Sequence, residues 1–371
     1  MPAKEQRLAG RLMMDILEIA RRRLYNQRIT QAKFARPDQV VAWFGAMQAQ
    51  DAASAKWAVG LRCAGADLAA IEQAIAEKRI VRTWLLRGTL HLAAADDARW
   101  LLALLAPRIL AGSARRLQQL ELDASTLTRS FEILTRALQG GKQLTRAAIK
   151  EVLEEAGVST TGQRVYHILA QAALTGLICF GPDLGKQDTF VLLDEWVPNG
   201  RSLDHHQALA ELARRYFTSH GPATLPDFIW WSGLKTADAR AGLEAAKPGL
   251  QSEEIDGQTY WLPPNHPIPE DPTPTACLLP AFDEYYLGYQ TRQAVLDPQY
   301  DQRAVSNNGV FRPMIVMDSQ IVGIWKQTPK KDSVIIAPDL FSALTGRERQ
   351  ALQMAADQYG AFLAASATVA D

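Results

Sequence analysis

Three stretches of the chain repeat one order: apolar residues at helical spacing, then short alternating runs around a turn. In the second stretch Val165, Ile168, Leu169 and Ala172 fall three and four apart, predicting a helix over 163–175 that Gly176 ends. A helix over 126–138 precedes it, stopped by Gln139-Gly140-Gly141, and Thr145 reads as the N-cap of the helix between them. Residues 177–180 and 189–193 read as strands around a loop at 181–186. Three helices followed by a hairpin is the winged helix-turn-helix order. The third stretch follows it too. Its helices cover 207–219, a segment opening at Thr224-Leu225-Pro226-Asp227, and 236–246, before a hairpin over 250–262 that turns at Asp256-Gly257. The first stretch is less regular, with helices over 13–26, 37–47 and 68–77. Its hairpin, 80–86 and 89–93, turns at Arg87-Gly88.

Residues 263–274 hold six prolines and read as a linker. Beyond it the pattern changes to strands at 276–279, 310–316 and 320–326, and a helix over 346–363 closes the chain. The expected fold is therefore α+β: three tandem winged helix-turn-helix domains (1–120, 121–200 and 201–264) and a C-terminal β-rich domain (275–371). A chain of 371 residues is too long for one ordinary core, which fits several domains.

One stretch breaks the pattern. Gln48-Ala49-Gln50 places two neutral amides directly after the apolar run 40–47, where core would continue. A buried Gln must find partners for both donor and acceptor atoms, so a pair of them is costly unless something polar is held there. A surface turn capping a helix end is the competing reading.

Composition narrows the classes. Hydrophobic content of 47% with 22% charged residues is that of a globular chain. No apolar run is long enough to span a membrane, and Lys4, Glu5 and Arg7 do not resemble a signal peptide, so a cytoplasmic, nucleoid-associated bacterial protein is expected. Cys63, Cys179 and Cys277 are far apart and suit a reducing compartment, and the histidines show no metal spacing. There is no Gly-x-Ser-x-Gly elbow, and Leu184-Gly185-Lys186-Gln187 is no phosphate loop. The net charge is zero but segregated: residues 1–116 carry 19 Lys+Arg against 10 Asp+Glu, the remainder 21 against 30. That asymmetry suggests a face presented to a polyanion, with Arg21-Arg22-Arg23, Arg82, Arg87, Arg108 and Arg115-Arg116 as candidate contacts.

Taken together, the chain resembles the bacterial helix-turn-helix DNA glycosylases that unhook interstrand cross-links and remove bulky N7-alkylated purines. The resemblance covers nearly the whole chain. Its carriers are Gln48-Ala49-Gln50, the stretch 81–92, Leu279-Pro280-Ala281-Phe282-Asp283-Glu284-Tyr285 and Asn308-Gly309-Val310-Phe311-Arg312-Pro313. It implies a Gln-apolar-Gln triplet at the catalytic centre, matched residue for residue. A second branch has an acidic residue at the second Gln position, which this chain does not share. The resemblance also implies double-stranded DNA as partner, without a metal or organic cofactor.

Gln does not titrate and cannot act as a general base. A purine alkylated at N7 is already cationic, however, so its glycosidic bond breaks without an enzymic acid. What remains is to place a water near C1′ and stabilise an oxocarbenium-like transition state, which amide carbonyls can do. Neutral residues would confine such an enzyme to labile lesions. Asp51, beside the triplet, either assists or caps a helix. Arg82, Arg87, His91, Arg21 and Arg22 are candidate DNA contacts, His91 chiefly through the resemblance; Trp84 is expected in the core. Gln163 and Arg164 are the candidate base-reading residues of the second domain's third helix, and Lys235 and Arg240 those of the third domain's. So few readers favour binding through phosphates without sequence preference. Asp283, Glu284, Tyr285, Tyr289 and Arg312 either line a DNA channel or, for Asp283 and Arg312, form a structural pair. A non-catalytic DNA-binding protein on the same scaffold is the alternative.

Overall fold

The computed structural model describes residues 16–30, 33–264 and 275–370. The expected start of the first helix and most of the proline-rich linker lie outside the described residues. In the second and third stretches the element order matches the sequence pattern. Helices Ala124–Leu138, Arg146–Glu155 and Arg164–Leu174 lead into strands Ile178–Phe180 and Thr189–Leu192, and Thr145 caps Arg146–Glu155 by accepting from Ala148 N–H. Helices His205–His220, Leu225–Ser232 and Thr236–Ala246 lead into a hairpin of Gln251–Ile255 and Gln258–Leu262. Its turn residues Asp256 and Gly257 both have positive φ, which a two-residue turn matching the strand twist needs.

The first stretch differs from expectation. Its second helix ends at Phe44, not Met47, because Gly45 takes φ 81° and turns the chain out of the helix. Met47–Gln48 is instead a short strand. Two helices went unread: Ala52–Leu61, and the 25-residue Ala95–Gln119. Pro107 lies within the latter; both it and Ala103, whose carbonyl loses its amide partner, face solvent, so the break costs little. In the C-terminal part the strand expected from 310 begins at Met314, and strands Ser333–Leu340 and Ser366–Val369 were also unread. Helix Gly346–Phe362 covers the five-stranded sheet they complete. That sheet runs Ser366–Val369, Ser333–Leu340, Gln320–Pro329, Met314–Met317, Ala276–Leu279, parallel only in its first pair.

The first hairpin is not a separate wing. Strands Met47–Gln48, Leu90–Ala94 and Ile80–Trp84 continue into Ile178–Phe180, Thr189–Leu192 and Leu144–Thr145, making one antiparallel six-stranded sheet across the first two stretches. The first stretch divides its apolar residues among three cores. Val40, Phe44 and Met47 pack with the C-terminal sheet; Val81, Leu85 and Ala93 pack with Tyr216, Phe228 and Trp231; Trp84 and Leu90 pack with the second stretch. It is the hub on which the others meet.

Candidate active site

The triplet begins on the edge strand of the six-stranded sheet, Gln48 being that strand's last residue. Met47 faces Leu92 and Gln48 faces His91 in register, and the Ala49 N–H donates to the Leu90 carbonyl at 2.8 Å. Met47 and Ala49 are buried in the core, while the side-chain oxygens of Gln48 and Gln50 both reach the 89–90 segment. Beyond Gln50, Asp51 caps helix Ala52–Leu61 through the Ser54 N–H, so of its two expected roles the cap is the one observed. Gln48 is only 8% exposed, whereas Gln50 is open to solvent. Gln48 Oε1 accepts from the Ala49 N–H at 3.3 Å and Thr89 Oγ1 at 3.4 Å, and Gln50 Oε1 accepts from the Leu90 N–H at 3.4 Å. These contacts sit at the long limit of hydrogen bonding, and among the described residues neither amide nitrogen donates.

Beneath the triplet lies the carboxylate of Glu284, one of the polar residues expected either to line a DNA channel or to serve the structure. Glu284 is fully buried; one oxygen accepts the Gln48 N–H at 2.9 Å, and the other accepts Trp231 Nε1–H at 3.0 Å and lies 3.3 Å from His220 Nε2. Burial pushes its pKa up, but the His220 contact and the Gln48 N–H outweigh that and hold it below the ordinary value, so it is ionised. Burial lowers the pKa of His220. His91 is pushed down to about 4, first by burial and then by the nearby Arg87 charge, against its contact with the Thr89 carbonyl. His91 is therefore neutral at physiological pH, and its Nε2, like Arg87 Nη1, is buried without a partner among the described residues. Nothing in the sequence marked His220 or Trp231; they reach Glu284 only through the packing of the third stretch.

Several candidate contacts are engaged within the protein. Arg82 donates to the Ala49 carbonyl at 3.2 Å and pairs with Asp188 at 2.7 Å, so it braces the triplet from behind. Arg87, expected at an exposed turn, takes φ 57° and folds its guanidinium inward, where burial lowers its pKa; its Cγ lies 3.0 Å from where a side chain at Gly233 would begin. Arg22 pairs with Glu18 and Glu253, and Arg23 is buried over the Tyr289 ring, while Arg21 is exposed. Arg164 donates to the carbonyls of Ser159, Leu120 and Glu121, a structural role, and Gln163 accepts from Arg116 at 2.6 Å. Trp84 is core, packed against Phe180 and Tyr166. Asp283 pairs not with Arg312 but with the fully buried Arg62, through two bonds of 2.8 and 2.9 Å. Tyr285 is buried, its hydroxyl donating towards the carbonyls of Ser319 and Ala20. Arg312 is half-buried.

The charge segregation thus has an internal component. Arg22, Arg23, Arg62, Arg82 and Arg99 reach Glu253, Asp227, Asp283, Asp188 and Asp194, all in the acidic remainder. Of the first-third cations named from sequence, Arg21, Arg108, Arg115 and Arg116 are the exposed ones, the last three on the outer half of helix Ala95–Gln119. No helix among the described residues is long and apolar enough to cross a membrane, and no His/Cys/Asp/Glu group among them is arranged to hold a metal.

Residues 41–362 match the family described as DNA glycosylase AlkZ-like, a span running from before the triplet to the closing helix. The chain belongs to the AlkZ-like DNA glycosylase family. An interstrand DNA cross-link repair glycosylase of Streptomyces sahachiroi is 27% identical, the match covering 81% of this chain and 84% of that protein. The solved structure of the Streptomyces sahachiroi DNA glycosylase AlkZ superposes with a TM-score of 0.79 at 21% identity, over 97% of this chain and 100% of that one. The α+β fold of the AlkZ-like family therefore extends over essentially the whole chain.

Proposed function

We propose that this AlkZ-like chain is a monofunctional glycosylase that releases N7-alkylated purines from duplex DNA by water attack at C1′. Gln48 and Gln50 are the catalytic amides. The observation carrying this reading is that both side-chain carbonyls reach the 89–90 segment, with Gln50 open to solvent and the Gln48 backbone N–H bonded to a buried carboxylate. The amides are held only by long contacts, so a water and the C1′ region can replace them as partners. Asp51 is occupied as a helix cap and His91 is neutral, which leaves amide carbonyls to orient the water and face the developing cation.

Residues 121–200 and 201–264 act as winged helix-turn-helix modules, with the first stretch (1–120) as a modified third and 275–371 as the β-rich domain. The phosphate-contacting role expected of the first third falls to the exposed Arg21, Arg108, Arg115 and Arg116, and contact through phosphates implies binding without sequence preference. The cross-link repair of the Streptomyces sahachiroi relative supports cross-linked purines as a second substrate class. The test is release of N7-methylguanine from a duplex oligonucleotide by the parent, Gln48→Ala and Gln50→Ala. Release by the parent that both variants lose by about 100-fold supports the assignment. Salt-sensitive DNA binding without release would leave a non-catalytic DNA-binding protein.

A further inference from the structure

In an antiparallel pair, successive residues point their N–H groups alternately toward and away from the partner strand. The Ala49 N–H is used within the sheet, donating to Leu90, so the Gln48 N–H points outward from the sheet edge. The group waiting there is the Glu284 carboxylate, 236 residues away in sequence, at 2.9 Å. Its other oxygen is gripped from the third stretch by Trp231 and His220. Glu284 opens the short helix Glu284–Leu287, which Asp283 caps, and Arg62, at the C-terminal end of helix Ala52–Leu61, locks Asp283.

An ionised carboxylate taken out of water is costly, and among the described residues no Lys or Arg lies within ion-pair distance of this one. A neutral amide or an apolar side chain would fill the same space at less cost, so stability alone does not account for the charge. What the carboxylate does is hold the backbone N–H of one member of the Gln pair at the sheet edge.

We propose that Glu284 is a positioning residue for the glycosylase reaction: its carboxylate, held by Trp231 and His220, clamps the Gln48 backbone and so sets the Gln48 side chain against C1′. The inference rests on Gln48 being a catalytic amide. Glu284 touches no substrate; it acts through Gln48, and its loss slows the chemical step while leaving DNA affinity intact.

The experiment compares the full-length parent with Glu284→Gln, alone and combined with Gln48→Ala. It reads single-turnover release of N7-methylguanine, duplex affinity and thermal melting. Glu284→Gln should lower the release rate at least about tenfold with duplex affinity unchanged, and cause no further loss in the Gln48→Ala background. A rate equal to the parent's, or the same fold-loss in both backgrounds, overturns the proposal, since a merely structural role would be independent of Gln48. If Glu284→Gln does not fold, Trp231→Phe removes one donor to the carboxylate and keeps the ring; the same rate loss confined to the Gln48 background is required of it. The Gln48 amide resonance in ¹⁵N-glutamine-labelled protein is read in parallel and should move upfield when the carboxylate is replaced. Should the parent release no base, the catalytic reading fails, whereas an amide resonance unmoved by Glu284→Gln removes the clamp itself.

Discussion

Asp283→Asn removes half of a charge pair that lies wholly inside the protein. Arg62 has no exposed surface and Asp283 only 4%, and the two meet through parallel bonds of 2.8 and 2.9 Å. Arg62 would keep its bonds to the Gln27 carbonyl and side-chain oxygen and to the Ala58 carbonyl, so its donors stay mostly satisfied. Its charge, however, would be left without a counter-ion, and the new amide nitrogen would turn a donor toward a donor. Orphaning one member of a buried pair costs about 3–5 kcal/mol, a large part of the 5–15 kcal/mol available to a typical domain. The helix cap at Tyr285 survives, because Asn also accepts there. Urea unfolding at pH 7, followed by tryptophan fluorescence, reads the loss directly; Trp57, bonded to the Leu278 carbonyl, reports on the same core. The double variant Arg62→Met/Asp283→Asn removes both charges and should be less destabilised than the sum of its parts by about 2 kcal/mol. A single variant within about 1 kcal/mol of the parent, or strict additivity in the double, would refute the reasoning.

Two further predictions follow from packing and titration. His91 titrates near an ordinary 6.5 when unfolded but at about 4 when folded, so between those values the unfolded chain binds more protons and stability falls as pH drops. The gap corresponds to about 3 kcal/mol, present in full above pH 6.5 and lost by pH 4; His91→Gln should show a correspondingly flatter pH dependence in urea melts, and equal slopes would contradict it. Gly60→Ala would drive its new methyl into the Phe362 ring, which packs on Trp57, and should cost about 1–3 kcal/mol; Phe362→Leu in the same chain should restore part of that, as read by thermal melting.

The sequence alone determined the features that rest on local chemistry. Helix Thr236–Ala246 was legible to the residue, the Thr145 cap was marked by residue type, the helix opening at Thr224-Leu225-Pro226-Asp227 by its proline, and Asp256-Gly257 named its own turn. These follow from backbone preferences acting within a few residues. The triplet itself stood out because two amides interrupt an apolar run, and the resemblance to a family gave that interruption a chemical meaning.

Tertiary structure decided the rest. Gly45 could be read as a pause in a helix, and only pairing with Leu90–Ala94 makes Met47–Gln48 a strand. A two-residue strand carries no periodicity of its own, so no window on the sequence could find it. The roles of the arginines were equally hidden: an Arg codes for a guanidinium, and whether it meets phosphate or a buried carboxylate depends on what folding brings near. Arg62 meets Asp283 and Arg82 meets Asp188, while Arg108, Arg115 and Arg116 remain outside. Glu284 is the sharpest case. Its neighbours in sequence are core residues, and its partners Gln48, His220 and Trp231 come from two other stretches of the chain. A buried charge is stable only where several donors converge, and convergence of distant segments is a property of the fold.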